Sequence, residues 1–216
     1  GLKMSKRKKN YREPGFIFDT YGADAMRWFF FSGQTPWTSV RFEEQNIRDV
    51  QREFLVRLYN VFSFFNIYAR IDGFVAHSEH GSPWRPAAER CELDRWILSE
   101  LHRTTQFVRE KLDGFENYPA AGRLNEFVDA LSNWYVRRSR DRFWKSAKDQ
   151  DKWDAYHTLF GVLLTLSKLI APFTPFFAET MYQNLRGGTV EGDGDPAVEA
   201  VVLATPASSM GCLTTE

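Results

Sequence analysis

Two clusters of basic residues hold the side chains whose types and spacing suit chemistry. The first lies in residues 3–12, which contain six Lys or Arg residues and no Asp or Glu. Lys3 and Lys6 flank the small hydroxyl residue Ser5, and two flexible ammonium groups of this kind can close over a polyphosphate. A short basic run is equally typical of a solvated tail or a nucleic-acid-binding arm. The stretch therefore predicts either a phosphate-binding loop or a tail. The two alternatives can be distinguished only with the motifs in the rest of the chain.

The second cluster lies on a predicted helix over residues 124–145. Its side chains recur at helical spacing, so that arginines and tryptophans share neighbouring faces. Guanidinium groups pair with phosphates, and aromatic rings stack on unpaired bases, so this mixture suits RNA. The alternative is a solvated helix end whose arginines pair with Asp141 or Asp149 and interact with the helix dipole. The candidate RNA-binding residues are Trp134, Arg137, Arg138, Arg140, Arg142, Trp144 and Lys145.

Complete catalytic machinery and a metal site are not predicted. The four histidines do not form a metal-ligand pattern, and the two cysteines, Cys91 and Cys212, are far apart without a CxxC motif, so neither zinc nor a disulfide framework is indicated. No glycine-rich phosphate loop or nucleophile elbow occurs. We expect the protein to reside in the cytoplasm, which is a reducing compartment. The histidines are His77, His80, His102 and His157.

The elements that must position the two clusters are mainly helices. Apolar residues recur at steps of three and four over most of the chain, which is the period of a helix buried on one face. The pattern predicts an antiparallel helical bundle, with the helix over residues 153–170 at its centre because nearly every face is apolar from Leu159. A small mixed α/β connecting segment precedes the bundle, with a possible short strand over residues 37–42. The predicted bundle helices cover residues 43–70, 93–112, 119–145, 153–170 and 176–185.

The chain divides into three predicted parts: a basic loop with its connecting segment over residues 1–42, the bundle over 43–186, and a loosely ordered tail over 187–216. The tail is acidic, with no Lys or Arg after Arg186, and residues 200–203 suit one short strand. The longest apolar run has 12 residues, from 159 to 170, which is too short to span a bilayer. Because the chain opens on Gly1 and its first motif begins at residue 3, we expect it to be part of a longer polypeptide.

Four segments, taken in order along the chain, resemble the signatures of class Ia aminoacyl-tRNA synthetases. Residues 3–7, KMSKR, resemble the KMSKS signature of that class, with Arg7 in place of the usual final serine. Residues 21–27, YGADAMR, resemble the segment that follows it, and residues 131–144, LSNWYVRRSRDRFW, resemble the anticodon-binding helix of the isoleucyl-tRNA synthetase family. Residues 169–179, LIAPFTPFFAE, resemble a further signature of the bundle. The ensemble is far more specific than any single match.

The resemblance implies an enzyme that joins isoleucine to tRNA(Ile) through an adenylate made from ATP with Mg²⁺. Lys6 would be the main ATP contact, with Lys3 supporting it and Ser5 orienting the loop. The bundle would bind the anticodon stem-loop of the tRNA. The nucleotide-binding catalytic domain would lie upstream, so we do not expect this chain to catalyse the reaction alone. We expect a monomeric protein without a membrane partner.

Two alternatives stay open from the sequence. One is a stand-alone paralogue that binds tRNA without ligase activity, although an intact signature loop has no use in a pure binder. The other is the same region of a valyl- or leucyl-tRNA synthetase, which the arginine-rich helix disfavours.

Overall fold

The computed structural model describes residues 4–5, 7–8, 11–40, 42–76 and 82–186, and every regular element in these ranges is helical. The mainly α class is therefore confirmed. Two π-helical turns, Gln51–Val56 and Leu131–Val136, join α3 to α4 and α6 to α7 without a break, and one 3₁₀ turn covers Ala87–Glu89. The α-helices are α1 Pro14–Tyr21, α2 Ala23–Gly33, α3 Glu44–Val50, α4 Arg57–Asp72, α5 Glu92–Asp113, α6 Asn117–Ala130, α7 Arg137–Trp144, α8 Gln150–Ile170 and α9 Pro175–Arg186.

Several helices begin or end at residues whose backbone or side chain favours a helix terminus. Pro14 occupies the first turn of α1, where its missing N–H is not needed. Gly73 ends α4 in the left-handed region, at φ 68°, which glycine adopts without steric penalty. The side chain of Asp149 accepts a hydrogen bond of 2.9 Å from the Lys152 amide and so caps α8.

The four long helical units of the bundle alternate in direction. Arg57 at the start of α4 pairs with Asp129 of α6 at 2.6 Å, and Lys148 just beyond α7 donates to the Asp72 carbonyl at the end of α4. The α4 unit and the continuous α6–α7 unit therefore run in parallel, and α5 and α8 run back between them, as expected for short connections. The predicted central position of α8 is confirmed, since 14 of its 21 residues are buried.

The π-helical turn between α6 and α7 was not predicted, and it has a clear physical cause. Residues Leu131, Tyr135, Ser139 and Phe143 are all buried, at steps of four. In an ideal α-helix each step of four drifts by about 40° around the axis. The wider turn of Leu131–Val136 offsets this drift and keeps Tyr135 and Phe143 in the core, which leaves Arg137, Arg138 and Arg140 on the outside.

The predicted strand over residues 37–42 is wrong for the residues described there. Residues 34–40 and 42–43 form a loop, in which the Thr38 amide donates to the Thr35 carbonyl at 3.0 Å and the two threonine hydroxyls lie 2.7 Å apart. A strand needs a neighbour for its backbone groups, and within residues 11–40 and 42–76 none is supplied. The connecting segment is thus helix and loop where it is described. The predicted strand over residues 200–203 and the whole tail from residue 187 lie outside the described residues.

No helix in the described part of the chain is long and apolar enough to cross a membrane.

Candidate nucleic-acid interface

The outer face of α7 carries three exposed arginines between two exposed tryptophans. Arg137, Arg138 and Arg140 have no carboxylate partner among the residues that the structure describes. The guanidinium carbon of Arg138 lies 4.3 Å from the ring centroid of Trp134, and that of Arg140 lies 5.9 Å from Trp144. About half of each tryptophan is exposed, 52% for Trp134 and 53% for Trp144. We call these five residues the arginine surface.

The inner face of α7 fixes the orientation of the arginine surface. Phe143 is buried and packs edge-on against Tyr156 of α8 at 4.9 Å and against Phe64 of α4 at 5.1 Å between ring centroids. Ser139, one turn earlier, is also buried. Because the buried and exposed positions alternate around one rigid helix, the three guanidinium groups point to solvent, where phosphates can reach them.

Arg142 does not belong to this exposed set, and its predicted phosphate contact does not fit the geometry. Its guanidinium binds the Asp94 carboxylate with two parallel hydrogen bonds, of 2.8 and 2.7 Å, and also donates to the Asp151 carbonyl at 2.9 Å. Asp94 is fully buried and accepts a further bond of 2.7 Å from the Tyr135 hydroxyl. Arg142 therefore joins α7 to the first turns of α5 and α8.

The electrostatics of this network agree with a structural role. Burial alone would lower the pKa of Arg142, but the hydrogen bonds and charge of Asp94 outweigh it, so the pKa lies above its ordinary value. Burial and the neighbouring Asp94 charge also raise the pKa of Tyr135 well above its usual range. At neutral pH the arginine stays charged and the tyrosine stays protonated.

Lys145 directly follows Trp144 of the arginine surface and forms ion pairs with two acids. Its Nζ lies 2.7 Å from Asp149 and 3.1 Å from Asp151. Burial opposes the charged form of Lys145, yet these two bonds raise its pKa. Its contact with RNA stays a prediction. Because two acids neutralise part of its charge, Lys145 would attract a phosphate less strongly than the three arginines do.

The predicted ATP-binding loop is described only in part. Lys3 and Lys6 lie outside the described residues. At Ser5 the backbone turns, because the Lys8 amide donates to the Ser5 carbonyl at 3.1 Å. Arg12 then pairs with Glu44 of α3 at 2.7 Å, so the chain that follows the loop is tied to the start of the bundle.

Two residues, Asp94 and Trp84, were not singled out by the sequence patterns. Asp94 lies in the first turn of α5, and its partner Arg142 is 48 positions away. Trp84 lies in a loop rich in proline, yet it is 60% exposed, with the guanidinium carbon of Arg90 6.0 Å from its ring centroid. A tryptophan in a polar loop with arginines nearby was the available signal.

In the described residues no group of His, Cys, Asp or Glu could hold a metal ion.

Two parts of the chain match models of known families. Residues 94–206 match the anticodon-binding domain of tRNA ligases, and residues 1–43 match the class I tRNA synthetases for isoleucine, leucine, methionine and valine. The first match alone covers more than half of the chain. The chain therefore belongs to the family of anticodon-binding domains of tRNA ligases.

Within that class, the similar curated proteins include isoleucine–tRNA ligases. The enzyme of Dehalococcoides mccartyi strain CBDB1 is 50% identical over 185 residues, which is 86% of this chain and 18% of that enzyme. The enzyme of Clostridium novyi strain NT is 44% identical over 205 residues, 95% of this chain and 19% of that enzyme. The chain therefore spans less than a fifth of the length of these curated relatives.

Solved structures of other synthetases share the helical fold. The free-state methionyl-tRNA synthetase of Mycobacterium tuberculosis superimposes with a TM-score of 0.67 at 16% identity, covering 88% of this chain and 38% of that one. The leucyl-tRNA synthetase of Agrobacterium radiobacter K84, in a ternary complex, gives a TM-score of 0.61 at 19% identity, with 95% of this chain and 22% of that one covered. At such identities the likeness shows the fold alone.

Proposed function

We propose that this chain is the part of an isoleucine–tRNA ligase that closes on ATP and binds the anticodon stem-loop of tRNA(Ile). The observation that carries the proposal is the arginine surface, which presents three guanidinium groups without carboxylate partners in the described chain. The similarity to isoleucine–tRNA ligases over 86% of the chain supports the choice of amino acid. The proposed division is a loop and connecting segment over residues 1–42, the bundle over 43–186 and a tail over 187–216.

The arginine surface suits a folded RNA better than a small anion. Three guanidinium groups along one helix can each pair with a separate backbone phosphate, and such contacts position an RNA without reading its sequence. Trp134 and Trp144 add two aromatic faces on which unpaired bases can stack. An anticodon loop offers both groups within a short distance, because its phosphates surround its unpaired bases.

The loop at residues 3–7 supplies the ATP contacts in this proposal. Lys6 would hold the phosphates of ATP with its Mg²⁺ ion, Lys3 would support it, and Ser5 would orient the loop. The remaining catalytic residues would belong to an upstream nucleotide-binding domain of the parent enzyme. A monomeric, cytoplasmic enzyme fits this activity.

The proposal is tested by titrating a tRNA(Ile) transcript against the 216-residue chain at low and moderate salt. We expect binding that weakens steeply with salt, because each neutralised phosphate contributes roughly 0.7 to 0.9 to the slope of log K against log salt concentration. Arg137→Ala, Arg138→Ala and Arg140→Ala should each weaken binding and lower that slope by about one.

Arg109→Ala is the matched control, since Arg109 is equally exposed but lies on α5 about 22 Å along the helix from Asp94. It should leave both quantities unchanged. If Arg109→Ala weakened tRNA binding as much as the α7 variants do, the effect would come from the net charge of the chain and not from the arginine surface. If the unmodified chain did not bind tRNA at low salt, the proposal would be overturned.

A further inference from the structure

The loop between α4 and α5 is held in one shape by Arg90. This guanidinium is 8% exposed, and its Nε and Nη2 both donate to the Arg85 carbonyl, at 3.1 and 2.9 Å. Its Nη1 donates to the Thr158 hydroxyl of α8 at 3.0 Å. A buried cation with its donors engaged in this way fixes the loop to α8.

Two further contacts hold the same loop on α8. Arg85 forms an ion pair with Asp154, whose side chain is fully buried and also accepts from Gln150 at 3.0 Å. Nε2 of His157 donates to the Ser82 carbonyl at 3.1 Å. The stretch of this loop from residue 82 to residue 90 is therefore attached at its beginning, middle and end.

This fixed loop presents Trp84 to solvent. The ring is 60% exposed, and Arg90 lies beside it, with its guanidinium carbon 6.0 Å from the ring centroid. Burial of Trp84 contributes little to folding, so the polar contacts beneath it do not serve to bury it. Trp134 and Trp144 are likewise about half exposed beside an arginine, although Arg138 and Arg140 are exposed and Arg90 is buried.

The loop and the end of α7 are joined through the first turns of α8. Asp151 binds Arg142 and Lys145 from the α7 side, and Asp154, about 4.5 Å further along the helix axis, binds Arg85 from the loop side. The loop that carries Trp84 and the C-terminal end of α7 are thus bonded to the same turns of α8. The acids of this turn do not repel a phosphate strongly, because each is paired with a cation.

We propose that Trp84 is a further stacking position for an unpaired base of the RNA that the arginine surface binds. The proposal rests on the proposed function and extends its site to a second element. An aromatic ring stacks on any base, and a rigid loop loses little conformational entropy when it does so. An apolar protein partner would also cover the ring, but the pairing of an exposed tryptophan with an arginine, which also occurs at Trp134 and Trp144, favours a nucleotide.

The test uses Trp84→Ala and Trp84→Phe in the 216-residue chain, with two RNA probes. The first probe is the anticodon stem-loop of tRNA(Ile), and the second is the same stem closed by a stable tetraloop. We expect Trp84→Ala to weaken binding of the first probe roughly five- to a hundredfold, the range for loss of one stacked base. Trp84→Phe should stay within about threefold of the unmodified chain, because phenylalanine also offers a π-face.

Three further readouts separate stacking from a structural role. The slope of log K against log salt concentration should not change in Trp84→Ala, because no charge is removed. Binding of the tetraloop probe should not change either. Thermal unfolding of both variants should match that of the unmodified chain; a lower unfolding temperature, or a Phe variant as weak as the Ala variant, would overturn the inference.

The remaining outcomes separate this inference from the proposed function. If Trp84→Ala binds the stem-loop normally while Arg138→Ala binds it weakly, the stacking role of Trp84 is wrong and the proposed function stands. Equal weakening on both probes would place Trp84 against the stem and overturn base stacking. If the unmodified chain binds neither probe at low salt, both proposals fail together.

Discussion

The carboxylate of Asp24 caps a helix that begins 151 positions further along the chain: its Oδ2 accepts a hydrogen bond of 2.7 Å from the Phe177 amide in the first turn of α9. Arg27, one turn along α2, donates to the Phe173 and Pro172 carbonyls at 3.0 and 2.8 Å. The segment YGADAMR and the segment APFTPFF are therefore bonded to each other. The connecting segment is fixed to the bundle at the turn between α8 and α9.

Removal of the Asp24 cap should destabilise the chain. Asp24→Ala leaves the Phe177 amide without its acceptor, and we expect a loss of about 1 to 2 kcal/mol in the free energy of unfolding. Asp24→Asn keeps an acceptor and should be at least as stable as the unmodified chain at pH 7. Urea unfolding measures both, with exposed Asp19→Ala as the control. A destabilisation by Asn as large as that by Ala would show that the charge, not the hydrogen bond, is what matters.

The same pair of variants carries a pH prediction. Burial raises the pKa of Asp24 above its ordinary 3.8, against the lowering effect of the Phe177 and Phe176 amides and of Arg27. The folded chain therefore binds more protons than the unfolded chain between the two pKa values, and the stability from this group falls as pH rises through that interval. Relative to Asp24→Asn, the unmodified chain should lose stability as pH rises from below 4 toward neutrality. A difference that grows in favour of the unmodified chain would mean a lowered pKa.

The helices could be predicted because their cause is local. Apolar residues that recur at steps of three and four predicted the bounds of α5, α8 and α9 to within a few residues. The π-helical turns were missed, although a run of buried positions in steps of four, such as Leu131, Tyr135, Ser139 and Phe143, was a usable signal. The strand predicted over residues 37–42 failed because a strand depends on a partner, and partners are not visible in a local pattern.

The exposure of the candidate site residues could be predicted from the sequence only in part. Arg138 and Arg142 are one turn apart and look alike in the sequence, yet one is exposed and the other binds Asp94. The difference comes from a residue on another helix. The contacts that hold the loop around Trp84 could not be predicted for the same reason, since Arg90 binds Thr158 and Arg85 binds Asp154 of α8 only in the folded chain.

Arg142 and Arg138 should therefore respond to mutation in opposite ways. Arg142→Ala leaves the buried Asp94 carboxylate unpaired, and we expect a loss of about 3 to 5 kcal/mol in the free energy of unfolding. Arg142→Lys keeps the charge without the paired hydrogen bonds and should lie in between. Arg138→Ala should change stability by less than about 0.5 kcal/mol but weaken tRNA binding. Chemical denaturation with parallel tRNA titration measures both; a stable Arg142→Ala with weakened binding would restore Arg142 as a phosphate contact.

Lys6 should act on ATP and not on tRNA. In the parent enzyme, Lys6→Ala should slow adenylate formation by about a hundred- to a thousandfold, the usual effect of removing one preorganised donor. The affinity for tRNA(Ile) should stay nearly unchanged, because the arginine surface is intact. Pyrophosphate exchange and tRNA titration report the two properties separately. Equal loss of both would contradict the proposed division of labour between the loop and the bundle.

The turn between α5 and α6 should become more stable when its residues are exchanged for better-suited ones. Phe115 has φ 58° and is 90% exposed, so it carries the strain of the left-handed region, about 1 to 2 kcal/mol, without packing in return. Phe115→Gly removes this strain but gives the unfolded chain more freedom, which costs about 0.5 to 1 kcal/mol. We expect a net gain of about 0.5 to 1 kcal/mol in the free energy of unfolding.

Gly114→Ala tests the same turn from the other side. Gly114 has φ −86°, and a Cβ there would meet its nearest neighbour at 3.5 Å, an ordinary contact. Alanine should therefore stabilise the chain by about 0.4 to 1 kcal/mol through the unfolded state. Urea unfolding of the two single variants measures both effects. A loss of stability in Phe115→Gly would mean that the ring packs against the folded chain, contrary to its exposure.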